Sequence, residues 1–371
     1  MQPADVVLRF LESVGRADEA QFYLGLFRAA AKERFATIHV DASALRHAGE
    51  AVALELSFLA SLGLAPVLAV GHFAPSDAGE QAALLRRRLD AVGVAAAVTS
   101  DAEVAETTRR GVLPVVALDG RVERLGALLA GLGTGKLVFV TRAGGFRVRG
   151  ASVPIVNLTT DADALAASGD LSKKQQGLLA QVRRLVLELV PQRVTVSVTA
   201  PLDLLRELFT VRGAGTLLRR GAVVLRRPLA GLDHERMAAL LRSSFGRPVR
   251  AAFFEAPDAD VFLEEAYRGA AVLVPTPLGA YLSKFAVERE AQGEGIGRDL
   301  WQALNVVHDT VFWRARPQNP IGAWYAQIAE GLMRFPGWHV YWKGLPSERV
   351  PAAIDFALAQ PPDFVDDPPP R

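Results

Sequence analysis

The residues of this chain best suited to chemistry lie between Tyr281 and Tyr325. Lys284 interrupts the apolar run Tyr281-Leu282-Ser283-Lys284-Phe285-Ala286-Val287, in a chain where arginine far outnumbers lysine. A glycine-rich turn follows, Gln292-Gly293-Glu294-Gly295-Ile296-Gly297, and then Phe312-Trp313-Arg314-Ala315-Arg316, Asn319-Pro320 and Trp324-Tyr325. A glycine turn between an apolar run and a helix start makes an anion cradle. Glycine lets the backbone approach a ligand closely, and the free N–H groups and dipole of the helix N-terminus attract phosphate oxygens. Two guanidinium groups on one strand face suit a small dicarboxylate, because each grips a carboxylate through two parallel hydrogen bonds. Each feature has a plainer alternative. Short glycine runs occur in many loops, alternating arginines are ordinary on a surface strand, and Tyr325 beside Trp324 is a natural packing pair.

The elements that must position these residues are readable from periodicity. Arg298–His308 has helical spacing, with Leu300, Trp301, Leu304 and Val307 on one face. Phe312–Arg316 reads as a strand, in which alternation sends Arg314 and Arg316 to one face and Trp313 to the other. Upstream, apolar strands at Phe35–Val40, Pro66–Val70, Val112–Leu118, Leu137–Val140, Ser152–Asn157 and Arg193–Thr199 alternate with helical patterns such as Ala51–Leu62, Ala78–Val92 and Gln175–Leu189. That alternation predicts an α/β fold with a largely parallel sheet.

A length of 371 residues fits two domains of the usual ~100–200 residues each. Pro228 and Gly231 interrupt the pattern and predict a linker near Arg226–Leu232. From Gln360 onward the chain is proline-rich and acidic, which predicts a loosely packed tail. The absence of cysteine excludes disulfides, thiolate metal sites and cysteine nucleophiles. His308 and His339 have no partner at metal-ligand spacing, so no metal is expected. The net charge is only +2 with basic and acidic residues interspersed, which does not suggest nucleic-acid binding. No charge-free apolar run reaches ~18 residues and no secretory leader opens the chain, so no membrane is expected and a cytoplasmic location follows by default.

The turn at Gln292–Gly297 fits the pattern Gln/Arg-x-x-Gly-x-Gly/Ala that marks the pyrophosphate loop of GNAT-type N-acetyltransferases. Together with the Tyr281–Val287 block, Phe312–Arg316, Asn319–Tyr325 and the aromatic strand Trp338–Leu345, it gives Leu232–Leu345 a specific likeness. The stretch resembles the acetyltransferase domain of the vertebrate-like N-acetylglutamate synthases, including the bacterial bifunctional synthase/kinases. The preceding part resembles the amino-acid kinase domain of the same family, in the leading helices around Val6–Phe27, in Phe35–Ile38, Leu62–Val67 and Gly111–Val115, and above all in Glu207–Leu217. The implied architecture is an amino-acid kinase-like domain over 1–226 with a mostly parallel central sheet, a GNAT-type α+β domain over 232–358, and a flexible tail over 360–371.

The resemblance implies transfer of acetyl from acetyl-CoA to the α-amino group of L-glutamate, the first step of arginine biosynthesis. Tyr325 is then the general acid that protonates the departing thiolate, since a phenol of pKa ~10 is protonated at neutral pH. Asn319 orients the amine or the substrate. Lys284, Arg314 and Arg316 neutralise the two carboxylates, and backbone groups of Tyr281 and Leu282 contact the ligand. Phe285, Ala286 and Val287 hold the acetyl carbonyl and pantetheine by strand-like pairing, and Gln292, Gly293, Glu294, Gly295, Ile296 and Gly297 bind the pyrophosphate. No single base emerges, and a water relay is an alternative. Two departures from the family pattern bear on amino-acid preference. Gly322 replaces an asparagine in the Asn319–Tyr325 block, and Ser283 stands where aspartate is common, with alternation directing its side chain away from Lys284.

The kinase chemistry is expected to be lost. His39-Val40-Asp41-Ala42 stands where a working kinase carries Lys-x-Gly-Gly, and Asp41 would repel phosphate. Gly71-His72-Phe73-Ala74-Pro75 replaces the second glycine-rich loop, and Asp119–Lys136 lacks the family's Asn-x-Asn-Ala-Asp segment. Such a domain is left to assemble a homo-oligomer, dimer or tetramer, and to sense L-arginine. The arginine site implied by resemblance comprises Glu207, Gly213, Ala214, Gly215 and Thr216, with Tyr23 stacking on the ligand. Its plain alternative makes Glu207 an exposed helix charge beside a glycine turn. Two other functions compete with the synthase: an acetylglutamate kinase, alone or bifunctional, and a non-catalytic arginine sensor or scaffold.

Overall fold

A computed structural model of the chain describes residues 21, 24–25, 35–210, 213–255, 258–361 and 363–365. The chain divides into two compact units, one ending at Gly221 and one beginning at Ala222.

In the first unit the strands are Thr37–Val40 (β1), Val67–Val70 (β2), Ala96–Val98 (β3), Leu113–Ala117 (β4), Lys136–Val140 (β5), the small hairpin Arg147–Val148 (β6) and Ala151–Ser152 (β7), then Ile155–Asn157 (β8), Thr195–Thr199 (β9) and Thr216–Arg219 (β10). Eight of them form one sheet in the order β3-β4-β2-β1-β5-β9-β10-β8. Every pair is parallel except β9 with β10. Valine- and leucine-rich strands such as Val67-Leu68-Ala69-Val70 are buried on both faces, as parallel strands covered by helices must be. One face packs on helices Ala42–Ser61 and Ala78–Ala91, the other on Val122–Leu132 and Lys173–Arg184. All six strands expected from the sequence are present; β3 and β10 are additions. Helix Ala42–Ser61 begins well before the expected Ala51 because Asp41 caps it, its carboxylate accepting from Ser43 N–H at 3.1 Å.

The second unit is built on a seven-stranded sheet: Val224–Pro228 (β11), Asp260–Glu264 (β12), Gly269–Thr276 (β13), Gly279–Val287 (β14), Val311–Ala315 (β15), Gly331–Arg334 (β16) and His339–Lys343 (β17), in the order β11-β12-β13-β14-β15-β17-β16. Its neighbours are antiparallel except β14 and β15. Helices Ile296–Val307 and Gly322–Ile328 cover one face, and His234–Phe245 and Val350–Ala359 the other.

Two expectations are corrected here. The segment expected as a linker, Arg226–Leu232, is instead the end of edge strand β11 and the turn after it, with Arg226 paired to Phe262 and Pro228 to Asp260. Pro228 is tolerated because β11 is an edge strand, where a missing N–H donor costs no ladder bond. The tail expected to be loose also packs in part. Phe364 bridges Val249, and Val365 N–H donates to Pro248 O at 2.9 Å. The other described residues of that tail, Gln360, Pro361 and Asp363, are engaged as well.

Candidate active site

The central feature of the second unit is a parting of two strands. β14 and β15 pair only at Ala280–Val311 and Tyr281–Phe312. Beyond that point β14 keeps its antiparallel partner β13 through Val287, and β15 keeps β17. On the β15 side of that parting Lys284–Val287 has no ladder partner, an edge that an extended ligand can pair with as a strand would.

Below the wedge lies the glycine turn 292–297. Gly293 and Gly295 take φ of +87° and +81°, a left-handed conformation open mainly to glycine. Gly295 is the N-cap of helix Ile296–Val307 and supplies no side chain to close its first turn. The first-turn amides therefore have neither an intrahelical acceptor nor a cap from Gly295. Glu294 projects a carboxylate beside this cradle, and the Arg268 guanidinium pairs with it.

One face of the parted strands is aromatic. Trp313, Phe285, Trp301, Trp324, Tyr325 and Tyr341 share one buried cluster. The Trp313 and Tyr341 rings stack at 5.4 Å, and the Tyr325 ring lies 5.4 Å from Trp313 and 5.5 Å from Tyr341. Burial, with Tyr341 adding to it, holds the Tyr325 phenol well above the ordinary tyrosine value, so it carries its proton at any physiological pH. The indole N–H of Trp313 is buried beside it without a hydrogen-bond partner. Sequence reasoning gave Trp313 only a direction; nothing in a single strand's alternation marks a donor left unpaired.

The other face carries the cations. Arg314 and Arg316 both stack on Trp338, at 4.0 and 3.9 Å from the ring centre. Lys284, only 6 % exposed, lies on this face with its ammonium 5.1 Å from the Phe253 ring. Burial lowers its pKa below the ordinary lysine value, and the nearby Asp363 carboxylate opposes that shift. Tyr281 is here too, its phenol pushed up to about 12 by burial despite the Arg314 guanidinium.

Strict alternation would separate Tyr281 from Lys284. They share a face because the register between β13 and β14 shifts at Val272/Leu273, leaving Ser283 as an extra residue on β14. That bulge corrects the expectation for Ser283. Its hydroxyl does not point away from Lys284 but lies 3.1 Å from the ammonium, and its carbonyl accepts at 3.2 Å.

Asn319 sits at the turn into helix Gly322–Ile328, its side-chain oxygen accepting from Ile321 N–H at 3.2 Å. At Gly322 an added Cβ would meet only the Tyr341 hydroxyl, at 3.7 Å, so a side chain has room there. Leu282 packs in the aromatic cluster and Ala286 on the opposite face. Thus Tyr325 and the cations lie on opposite faces of one sheet, joined through the wedge.

In the first unit the corresponding strand–turn–helix is closed. Asp41 caps the helix after β1 and also pairs with Lys174 at 2.6 Å. A cavity of about 370 Å³ remains, lined by Asp41, Arg46, Phe73, Lys174 and Gln181 among others. His39 and His72 lie nearby, with His72 N–H donating to the His39 ring at 3.3 Å and the His72 ring 2.8 Å from the Gln181 carbonyl oxygen. Burial, then His72 and Lys174, drop the His39 pKa to about 3, so it is neutral. Elsewhere in the unit Glu207 is buried, not the exposed charge of the plain alternative. One of its carboxylate oxygens accepts from Ala214 N–H at 2.7 Å and Gly215 N–H at 2.9 Å. Gly213 at φ +61° passes so close that a Cβ would lie 2.6 Å from that oxygen. Thr216 donates its hydroxyl to Val153 O at 2.6 Å. Tyr23 lies outside the described residues.

The fold and site define a class: an amino-acid kinase-like unit followed by a GNAT-type acetyltransferase unit. Comparison with known proteins shows what the chain is similar to, and residues 224–356 match the family described as NAT, N-acetyltransferase, of N-acetylglutamate synthase. Among curated relatives, an acetylglutamate kinase of Xylella fastidiosa is 33 % identical over 62 % of this chain, but the match spans only 56 % of that protein's length. An acetylglutamate kinase of Xanthomonas campestris pv. campestris is 29 % identical over 94 % of this chain and 99 % of its own. The crystal structure of N-acetylglutamate synthase from Neisseria gonorrhoeae, complexed with coenzyme A and N-acetyl-glutamate, shares the fold. It covers 89 % of this chain and 98 % of its own, with a TM-score of 0.51 at 18 % identity.

Proposed function

We propose that this chain is an N-acetylglutamate synthase, transferring acetyl from acetyl-CoA to the α-amino group of L-glutamate. The observation that carries the reading is the wedge between β14 and β15, with a protonated phenol on one face and the cations on the other. Acetyl-CoA lies along the open edge of β14, its pyrophosphate on the turn 292–297 and its thioester near Tyr325. Glutamate approaches from the cationic face, its carboxylates held by Lys284, Arg314 and Arg316, and presents its amine through the wedge. The amine nitrogen attacks the acetyl carbonyl carbon, the carbon–sulfur bond breaks, and the thiolate takes the Tyr325 proton. The α-ammonium gives one proton to water before attack, and the proton shed as the amide forms returns through water to the Tyr325 phenolate. In this reading Asn319 shapes the turn that carries Tyr325.

The first unit is proposed to bind and assemble rather than to phosphorylate, because Asp41 occupies the helix terminus that a phosphate would need. Acetyl transfer is confined to the second unit, which begins at Ala222 and includes β11, in a cytoplasmic homo-oligomer. Glu207 and the turn 213–216 form the candidate arginine effector site, with the Glu207 carboxylate ordering the turn. A second reading, acetylglutamate kinase activity, has the names of the Xylella and Xanthomonas relatives in its favour.

The test is CoA release from acetyl-CoA across a panel of amino acids. Glutamate-dependent release supports the reading. Turnover only with another amine discards glutamate, and silence with all of them discards the enzyme.

A further inference from the structure

Lys284 and Arg314 are the cations that the proposed reading reserves for the acceptor, and one stretch of this chain already engages both. The Asp363 carboxylate lies on the Lys284 ammonium, in the manner of a bound carboxylate ligand. The Arg314 guanidinium donates to the carbonyls of Leu358 at 3.1 Å, Gln360 at 2.8 Å and Pro361 at 3.2 Å. Around Asp363 the described residues are held by the isolated Val249–Phe364 bridge, with Arg250 N–H donating to Asp363 O at 2.8 Å and Val365 N–H to Pro248 O at 2.9 Å. The Arg250 guanidinium also donates to Phe364 O at 3.1 Å. The Phe364 ring anchors the stretch on Phe245 at 4.9 Å and on the Arg247 guanidinium at 5.0 Å. The Asp363 side chain is 30 % exposed, so water and an incoming carboxylate reach a pair whose lysine is otherwise buried.

We propose that Asp363 is an internal competitor for the acceptor's carboxylate: it holds the seat on Lys284 in the resting protein, and a dicarboxylate acceptor must displace it. The inference rests on the reading of Lys284 and Arg314 as the acceptor's carboxylate site. Phe364 keeps the strap close enough to re-engage whenever the seat empties. Among the described residues its contacts are side-chain packing, one bridge and the Arg250 guanidinium on the Phe364 carbonyl rather than a sheet ladder, so the strap can lift without unravelling the sheet.

The test uses the full chain and two variants, Asp363→Asn and Phe364→Ala. The first keeps an oxygen near Lys284 but removes the charge. The second loosens the anchor, removes the ring 5.3 Å from the Lys284 ammonium, and leaves Asp363 in the chain. Two readouts are taken: the KM for glutamate, and calorimetric binding of glutarate, which lacks the amine and cannot turn over. Both variants should bind glutarate roughly three- to tenfold more tightly, with the glutamate KM falling alike and kcat unchanged, as when a seat open only ~10–30 % of the time becomes fully open. Unchanged or weaker glutarate binding in both variants overturns the proposal and makes Asp363 a structural brace. Tighter glutarate binding without glutamate-dependent CoA release keeps the strap and removes the glutamate reading, so the two failures are distinguishable.

Discussion

The two units of this chain each place a tight turn between a strand and a helix, and they treat the helix terminus in opposite ways. After β1 the turn carries Asp41, whose carboxylate caps the helix and binds Lys174. After β14 the turn ends in Gly295, which offers no side chain at all. A helix N-terminus attracts anions in either case. In the first unit the anion is the chain's own and the terminus is closed; in the second the cap residue Gly295 supplies none, and the proposed pyrophosphate seat lies there. The difference teaches that the motif's chemistry is decided by what occupies the cap, not by the strand–turn–helix shape.

Breaking the comparison on its catalytic side should give the largest effect. Tyr325→Phe removes one oxygen from a packed aromatic cluster and should lower kcat by about 10²–10⁴-fold, the usual range for a lost general acid, with little change in the glutamate KM. Steady-state kinetics on the variant checks both numbers. Next come the cations. Lys284→Met or Arg314→Gln should raise the glutamate KM roughly ten- to a hundredfold, since a charge-assisted hydrogen bond contributes about 1.5–3 kcal/mol. The acetyl-CoA KM should stay as it was.

The pH dependence sharpens the same assignment. Lys284 is a cation only below its pKa, and burial has lowered that pKa. The glutamate KM should therefore rise with pH before an ordinary lysine would titrate, while Tyr325, displaced upward, stays protonated throughout. A pH profile of kcat/KM for glutamate that stays flat until the ordinary lysine range would contradict this placement. On the closed side, Asp41→Ala should cost about 0.5–2 kcal/mol of stability through loss of the cap, seen as a lower thermal midpoint, and leave acetyl transfer intact. The smallest effect is expected at Arg268→Gln. It leaves Glu294 unneutralised beside the turn and should raise the acetyl-CoA KM only a few-fold, because a part-exposed ion pair is worth about 0–1 kcal/mol.

How much of this was legible in the sequence depended on the range of the rule involved. Apolar runs and glycines are local signals, so the six strands of the first unit and the turn at Gln292–Gly297 were readable. The directions of Trp313 and Arg314 followed from alternation and are found as expected. Ser283 was misjudged because a bulge is a property of two strands in register, and one strand read alone keeps its period of two. Arg226–Leu232 looked like a linker because Pro228 breaks a strand pattern unless the strand lies at an edge. In the described part of the tail, composition left particular partners unread. Prolines and aspartates suggested looseness, but Asp363 and Phe364 have particular partners in Lys284 and Phe245 that composition does not reveal. The role of Asp41 as the helix cap emerged only from the geometry.

The central claim is that chemistry belongs to the unit whose helix terminus is open. It is tested most directly by the initial rate of CoA release from acetyl-CoA with L-glutamate, measured on the same preparation as ATP-dependent phosphorylation of N-acetylglutamate. The account predicts glutamate-dependent release and no phosphorylation. Phosphorylation without glutamate-dependent release would contradict it.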